Sequence, residues 1–187
     1  MRALTTVAGV AIGALLLSGC LPQQPTATPP PEATAAPIFA SDEEALAAAT
    51  AAYAAYLAMS DQILKDGGKD PDRIDGLIIG IDLVASEKAG FMDFLKSGYR
   101  SIGDTKFENI RIQQVNYYSR HGLDVVRVYL CSDVTDVTVV DQSGLSIVSP
   151  SRADRTGFEI GFDLADSAGI PLIVSSKQTW NSEEICE

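Results

Sequence analysis

The chain begins with an apolar run, passes through a proline-rich stretch, and then changes hydrophobic period twice. From Ser41 the spacing is helical: Leu46, Tyr53 and Ser60 interleave with Thr50, Leu57 and Leu64 on an alanine background. Ser41-Asp42-Glu43-Glu44 reads as a capping box, a hydroxyl N-cap with Glu three residues later. Gly67-Gly68 stops this helix. Asp70-Pro71 predicts an N-cap with proline at N1, opening a second helix that buries Ile74, Leu77, Ile78 and Ile81. A third helix is expected from Ser86 to about Ser101, burying Phe91, Phe94, Leu95 and Tyr99, with Gly103 ending it.

Beyond Gly103 the period falls to 2. Ile110 and Ile112 alternate, and Val115 and Tyr117 continue in the opposite phase, which predicts a bulge at Gln113-Gln114. Arg120-His121-Gly122 is a turn. Val125 to Tyr129, extending to Cys131, is a strand apolar on both faces except at Arg127. Val134–Val140 continues as strand, Asp141-Gln142-Ser143-Gly144 turns it, and Leu145–Val148 returns. After a loop from Ser149 to Asp154, Phe158–Leu164 and Leu172–Trp180 predict a hairpin around Asp166–Gly169. Helices first and antiparallel strands afterwards give an α+β order, three helices on one face of a sheet of four to six strands. The length from residue 41 to 187 suits one domain with its own core.

The first nineteen residues carry one cation, Arg2, and an uncharged stretch from Ala3 to Leu17. That is a secretory signal, too short for a spanning helix. Its end, Leu17-Ser18-Gly19-Cys20, resembles the lipobox of bacterial lipoproteins, in which the cysteine is diacylglycerylated and becomes the first mature residue. The resemblance implies an anchor at Cys20 and a domain on the outer side of the membrane; two or three acyl chains hold stably where one does not. Residues 20–40 then read as the lipidated cysteine and a disordered linker, with six of the nine prolines at 22, 25, 29, 30, 31 and 37. About 20 such residues at roughly 3 Å each reach about 60 Å.

Charge and cysteines narrow the partners. The net charge is −11, and −12 once Arg2 leaves with the signal, which argues against nucleic acid and against broad attraction to anionic lipid. With Cys20 lipidated, Cys131 and Cys186 remain in an oxidising compartment, either as a disulfide or as two buried thiols. A bond would close a long loop, worth about 4 kcal/mol by loop entropy, and would hold Ile185-Cys186-Glu187 on an internal strand.

The element order over 41–187 is similar to the NTF2-like (SnoaL-like) fold, a cone of helices and curved sheet around a pocket. The stretch Val126–Cys131 with Val134–Asp141, Ser149–Arg152 and Trp180…Cys186 resembles a group of actinobacterial lipoproteins, which implies location and fold but no activity. In such a cone Tyr53, Phe91, Phe94, Tyr117 and Trp180 would line an apolar pocket, or else fill the core. NTF2-like isomerases use an aspartate base with Tyr and Asp donors. This chain has Tyr53, Tyr56, Tyr117, Tyr118, Glu159 and Asp163 without that family's motif, so no catalytic residue is assigned.

His121 is the only histidine and stands in a polar turn, so neither a catalytic triad nor a zinc site is expected. Asp133, Asp136 and Asp141 lack EF-hand order and read as turn and edge residues. Arg152-Ala153-Asp154-Arg155 is a basic spot on an acidic protein, a solvated loop or an anion or partner contact. No metal or cofactor is expected. The function expected is a lipid-anchored module binding a partner or a small apolar ligand. The alternatives are an isomerase or dehydratase using Asp or Glu in the cone, and a purely structural envelope protein.

Overall fold

The Ser41 half of the capping box forms as the sequence requires, while the return bond from Glu44 goes one residue further back, to Ala40 instead of Ser41. In the computed structural model, the Ser41 hydroxyl accepts the Glu44 amide at 3.3 Å, and Glu44 reaches back to the Ala40 amide at 2.6 Å. It opens α1, Asp42–Lys65. The structure describes residues 36–118, 124–165, 172–181 and 183–187. The signal, Cys20, most of the linker, the His121 turn and the Asp166–Gly169 turn lie outside the described residues. The ordered chain is already in place before Ser41, since Phe39 is buried and the Ile38 amide bonds the Tyr117 carbonyl at 2.9 Å.

The buried residues of α1 are Ala45, Ala49, Ala52, Tyr53, Tyr56, Ser60, Asp61 and Ile63, Asp61 accepting from the amide and hydroxyl of Thr105. The stripe is rotated from Leu46, Leu57 and Leu64, which are only half-buried, because alanines let the sheet approach closely and two tyrosines fill the space between. Gly67 and Gly68 both take positive φ; the Gly68 amide returns to Ile63 and ends the helix. A side chain at Gly68 would strike the backbone of Phe91, so this glycine sets how closely the next helix passes.

Among the described residues two α-helices form, where three were expected. The expected second helix is one 3-10 turn, Pro71–Ile74, because Gly76 and Gly80 adopt φ of +80° and +95°, outside the helical region. Between them the Leu77 amide closes a turn on Ile74, and Leu77 to Ile79 bridge to Val174, the Leu77 carbonyl accepting its amide and the Ile79 amide donating to its carbonyl. The last helix, α2, is Ile81–Ser97, starting five residues before Ser86. It stops at Gly98, which is left-handed, so Ser101 belongs to a strand. Of its expected buried residues Phe91 is inside, Phe94 and Tyr99 are half-buried, and Leu95 is exposed.

Among the described residues six strands follow: β1 Arg100–Ile102, β2 Lys106–Val115, β3 Val126–Asp133, β4 Thr138–Val140, β5 Arg155–Leu164 and β6 Leu172–Thr179. Four form a curved antiparallel sheet in the order β2-β3-β5-β6, and β1 pairs β4 in a separate ribbon. The register of β2 on β3 shifts at Gln113, as the phase change predicts, and again at Asn109-Ile110, where Asn109 is left-handed. The strand expected from Val134 shrinks to β4, because a turn bonds the Val137 amide to Val134 and Arg152 holds both carbonyls at 2.9 Å. From Leu145–Val148 only an isolated bridge at Ser146 remains. The basic spot thereby resolves: Arg152 ties down this turn and Asp154, and Arg155 pairs with Glu108.

One face of the four-stranded sheet carries Val126, Val128, Leu130, Ile160, Phe162 and Val174, all buried with α1, Ile74 and Phe91 in one core. Among the described residues, no helix is long and apolar enough to cross a membrane.

Candidate functional site

Strand alternation sends the partners of those core residues to the other face. There Arg127 stands opposite Gly161, Tyr129 opposite Glu159, and Cys131 opposite Gly157. Gln178 faces Glu159 from β6, and Arg111 faces Tyr129 from β2. Just past β6 the Trp180 amide bonds the Gly157 carbonyl at 2.8 Å. The indole reaches diagonally to Tyr129, ring centres 4.5 Å apart and tilted by 32°. Trp180 is 37% exposed, whereas Glu159 beside it is only 7% exposed.

A polar network supports this aromatic pair. Arg127 lies 2.5 Å from Asp124 and 3.6 Å from Glu159. The Gln178 amide donates to Glu159 at 2.7 Å, and the Ser175 hydroxyl donates to Asp124 at 2.7 Å. Both glycines make room. A side chain at Gly161 would collide with the Asp124 carboxylate, and one at Gly157 would meet Ile185 and the Trp180 carbonyl. Partial burial, then the charge and hydrogen bond of Glu159, raise the Tyr129 phenol above its ordinary range. The hydrogen bond to Asp124 keeps the Arg127 guanidinium charged.

The end of the chain is strapped onto the same face. A disulfide joins Cys131 to Cys186, Ile185 is buried over Gly157, and the Asn109 side chain donates to the Ile185 carbonyl at 3.1 Å. The left-handed conformation of Asn109 thus serves the bulge and aims the amide. Beside Trp180 lies an open groove of about 590 Å³, lined by Arg155, Thr156, Thr179, Trp180, Asn181 and the C-terminal segment.

The five residues expected to line a pocket are not brought together. Tyr53 is 1% exposed in the core, edge-on to Phe107 at 4.9 Å and 5.6 Å from Tyr56. Phe91 is buried where α2 meets that core, and Phe94 meets Tyr99 at 6.2 Å. Tyr117 lies at the start of α1, donating to Asp42 at 2.5 Å. Trp180 stands on the opposite face of the sheet. Burial drives the phenols of Tyr53 and Tyr56 far above their ordinary 10.0, and Lys177 donates to Tyr56 and Glu87 at 2.8 and 2.9 Å.

The acidic residues of the β3–β4 region act as local caps. Asp133 accepts the Thr135 amide, Asp141 accepts from Ser143 and Leu145, and Asp136 pairs with Lys106. These bonds lower Asp133 and Asp141 below the usual carboxylate value. No group of three or more His, Cys, Asp or Glu suited to a metal occurs among the described residues. Sequence reasoning passed over Arg127, Tyr129, Gln178 and Asp124. The available signal was the lone Arg in an apolar strand and the glycines alternating with Glu159 in Gly157-Phe158-Glu159-Ile160-Gly161. No protein-family model, curated protein or solved structure matches the chain.

Proposed function

We propose that this protein is a lipid-anchored, extracytoplasmic binding module that holds its partner on the outer face of the sheet and performs no catalysis. The signal, the Leu-Ser-Gly-Cys junction and the proline-rich spacer support the anchor and the outward placement. Helices followed by a curved sheet with two bulges in β2 support an NTF2-like architecture. The observation that carries the binding reading is the exposed Trp180 ring resting on Tyr129 above the ordered Arg127–Glu159–Gln178 network. Binding outside the cone is favoured over a ligand within it, because Tyr53, Tyr56 and Phe107 meet between α1 and the sheet.

Two measurements test this. The intact mass of the protein extracted from membranes should correspond to a chain starting at Cys20 with a diacylglycerol added. A chain starting elsewhere, or without lipid, removes the anchor. Hydroxyl-radical footprinting should then show Trp180 less reactive on cells that make the protein than in the purified chain. Equal reactivity in the two settings rules out an occupied outer face.

A further inference from the structure

An edge strand exposes unpaired backbone groups, and folds blunt such edges with charge, bulges or cover. The four-stranded sheet does so on both sides. β2 carries two bulges with Lys106, Glu108 and Arg111, while β6 carries Lys177 and is bridged at Val174 by Leu77–Ile79. The ribbon of β1 and β4 is different. Beyond β4 the chain returns through Leu145–Val148 as an outermost segment, bridged to Val140 at Ser146. From Gln142 to Ser151 it holds no charged residue, on a chain of net charge −11.

The hydrogen bonds fix which way this segment faces. The Asp141 amide donates to the Leu145 carbonyl at 3.0 Å, and the Ile147 amide donates to the Val139 carbonyl at 2.9 Å. Those bonds flank the Val140–Ser146 pair, so the amide and carbonyl of Ser146 point away from β4. Among the described residues neither group has a partner, and Ser146 is exposed. Leu145 and Ile147 share one face, 69% and 42% exposed. The segment has the pattern of a strand and nothing on its outer side.

We infer that Leu145–Val148 pairs antiparallel with the same segment of a second copy of this chain, about a two-fold axis at Ser146. Pairing identical strands around such an axis keeps side chains on matching faces only when one residue lies opposite itself. Centred on Ser146, the copies exchange both unpaired bonds, amide to carbonyl in each direction. Leu145 of each copy then stands opposite Ile147 of the other, at the closely spaced positions where side chains touch best. Gly144 meets Val148 and Ser143 meets Ser149, so no like charges face each other. Centring on Ile147 would set Leu145 against Ser149. Centring on Leu145 would need the Gly144 amide, which already bonds the Asp141 carbonyl. Two such short edges make a small interface, so the pairing is weak and depends on concentration. It stands apart from the outer-face reading, and its test reads neither Trp180 nor the anchor.

Cysteine cross-linking reads the register. In the full chain Ser143, Ser146 and Ser149 would be replaced by Cys one at a time and oxidised, with the wild-type chain and its Cys20 as background. Paired Ser146 positions put their Cα atoms about 5.5 Å apart, within reach of a disulfide. Ser146→Cys should therefore form a covalent dimer about tenfold faster than Ser143→Cys or Ser149→Cys, whose own copies lie far along the strand. Equal rates at the three positions mean collision, and a link from Ser146→Cys to a different protein on cells means another occupant; either overturns self-pairing. Sedimentation equilibrium of the wild-type chain in density-matched detergent, up to about 1 mM, should show the average mass rising toward two chains. Ser146→Pro removes an amide that bonds nothing in the single copy, so circular dichroism should hold while the mass stays at one chain. Leu145→Thr with Ile147→Thr keeps strand propensity and should also hold the mass at one chain, by removing the apolar pairs. A wild-type chain that stays single throughout, or a Ser146→Pro chain that still doubles, overturns the inference.

Discussion

The two faces of the four-stranded sheet are built from alternate residues of the same strands, yet they are organised by different forces. On the helix side Val126, Val128, Leu130, Ile160 and Phe162 are fully buried, and shape and volume decide what is tolerated. On the outer side Arg127, Tyr129, Glu159, Gln178 and Trp180 are held by directed hydrogen bonds, one ion-pair network and one ring contact. The inner face is stabilised by packing. The outer face draws its stability from the Cys131–Cys186 strap and from directed bonds, and those bonds present fixed chemistry to whatever comes near, which is what a binding surface requires.

The contrast can be broken first on the inner face. Phe162→Ala should cost about 3–5 kcal/mol, read as a lower urea midpoint with an unchanged slope. Alkali attacks the same side. Tyr53 and Tyr56 are held neutral in the fold well above their ordinary 10.0, so the stability this gives is complete below about pH 10. It falls as pH rises further, because the unfolded chain releases those protons and the folded chain does not. The urea midpoint should therefore drop above about pH 10, and Tyr53→Phe should make that drop shallower.

On the outer face the largest loss belongs to the strap. Replacing both Cys131 and Cys186 by Ser opens a loop spanning 55 residues, worth up to about 4 kcal/mol by loop-closure entropy. It should also raise proteolysis near Ile185. Glu159→Ala should cost about 1–3 kcal/mol, since Gln178, Tyr129 and Arg127 each lose an acceptor. Gln178→Ala should cost about 1 kcal/mol, since the nearly buried Glu159 keeps Arg127 but loses one donor. If Gln178→Ala proved as damaging as Phe162→Ala, the outer network would be part of the core and the contrast would be lost.

Legibility followed the same division. The inner face could be read from period 2, because burial demands apolar residues at every second position. The Ser41 N-cap and the Gln113 bulge were equally local and formed as expected. The helix at Asp70-Pro71 was misread because apolar residues at 74, 77, 78 and 81 fit a helical spacing, while Gly76 and Gly80 are placed for positive φ. Trp180 was read with the core aromatics because size and hydrophobicity alone do not tell which side of a sheet a ring lies on. Its register opposite Gly157, set by pairing with β5, decided that.

The sequence by itself determined the α+β order, the start of α1, the break at Gly67-Gly68 and the strands that make the core. These depend on propensity, capping and periodicity, which act over a few residues. Only the tertiary structure decided that β1 and β4 leave the main sheet, that Cys186 lies beside Cys131, and that Asp124, Arg127, Glu159, Gln178 and Trp180 share one surface. Those juxtapositions join residues up to 56 positions apart through strand register, and register is fixed by how a whole face is buried rather than by any residue in it.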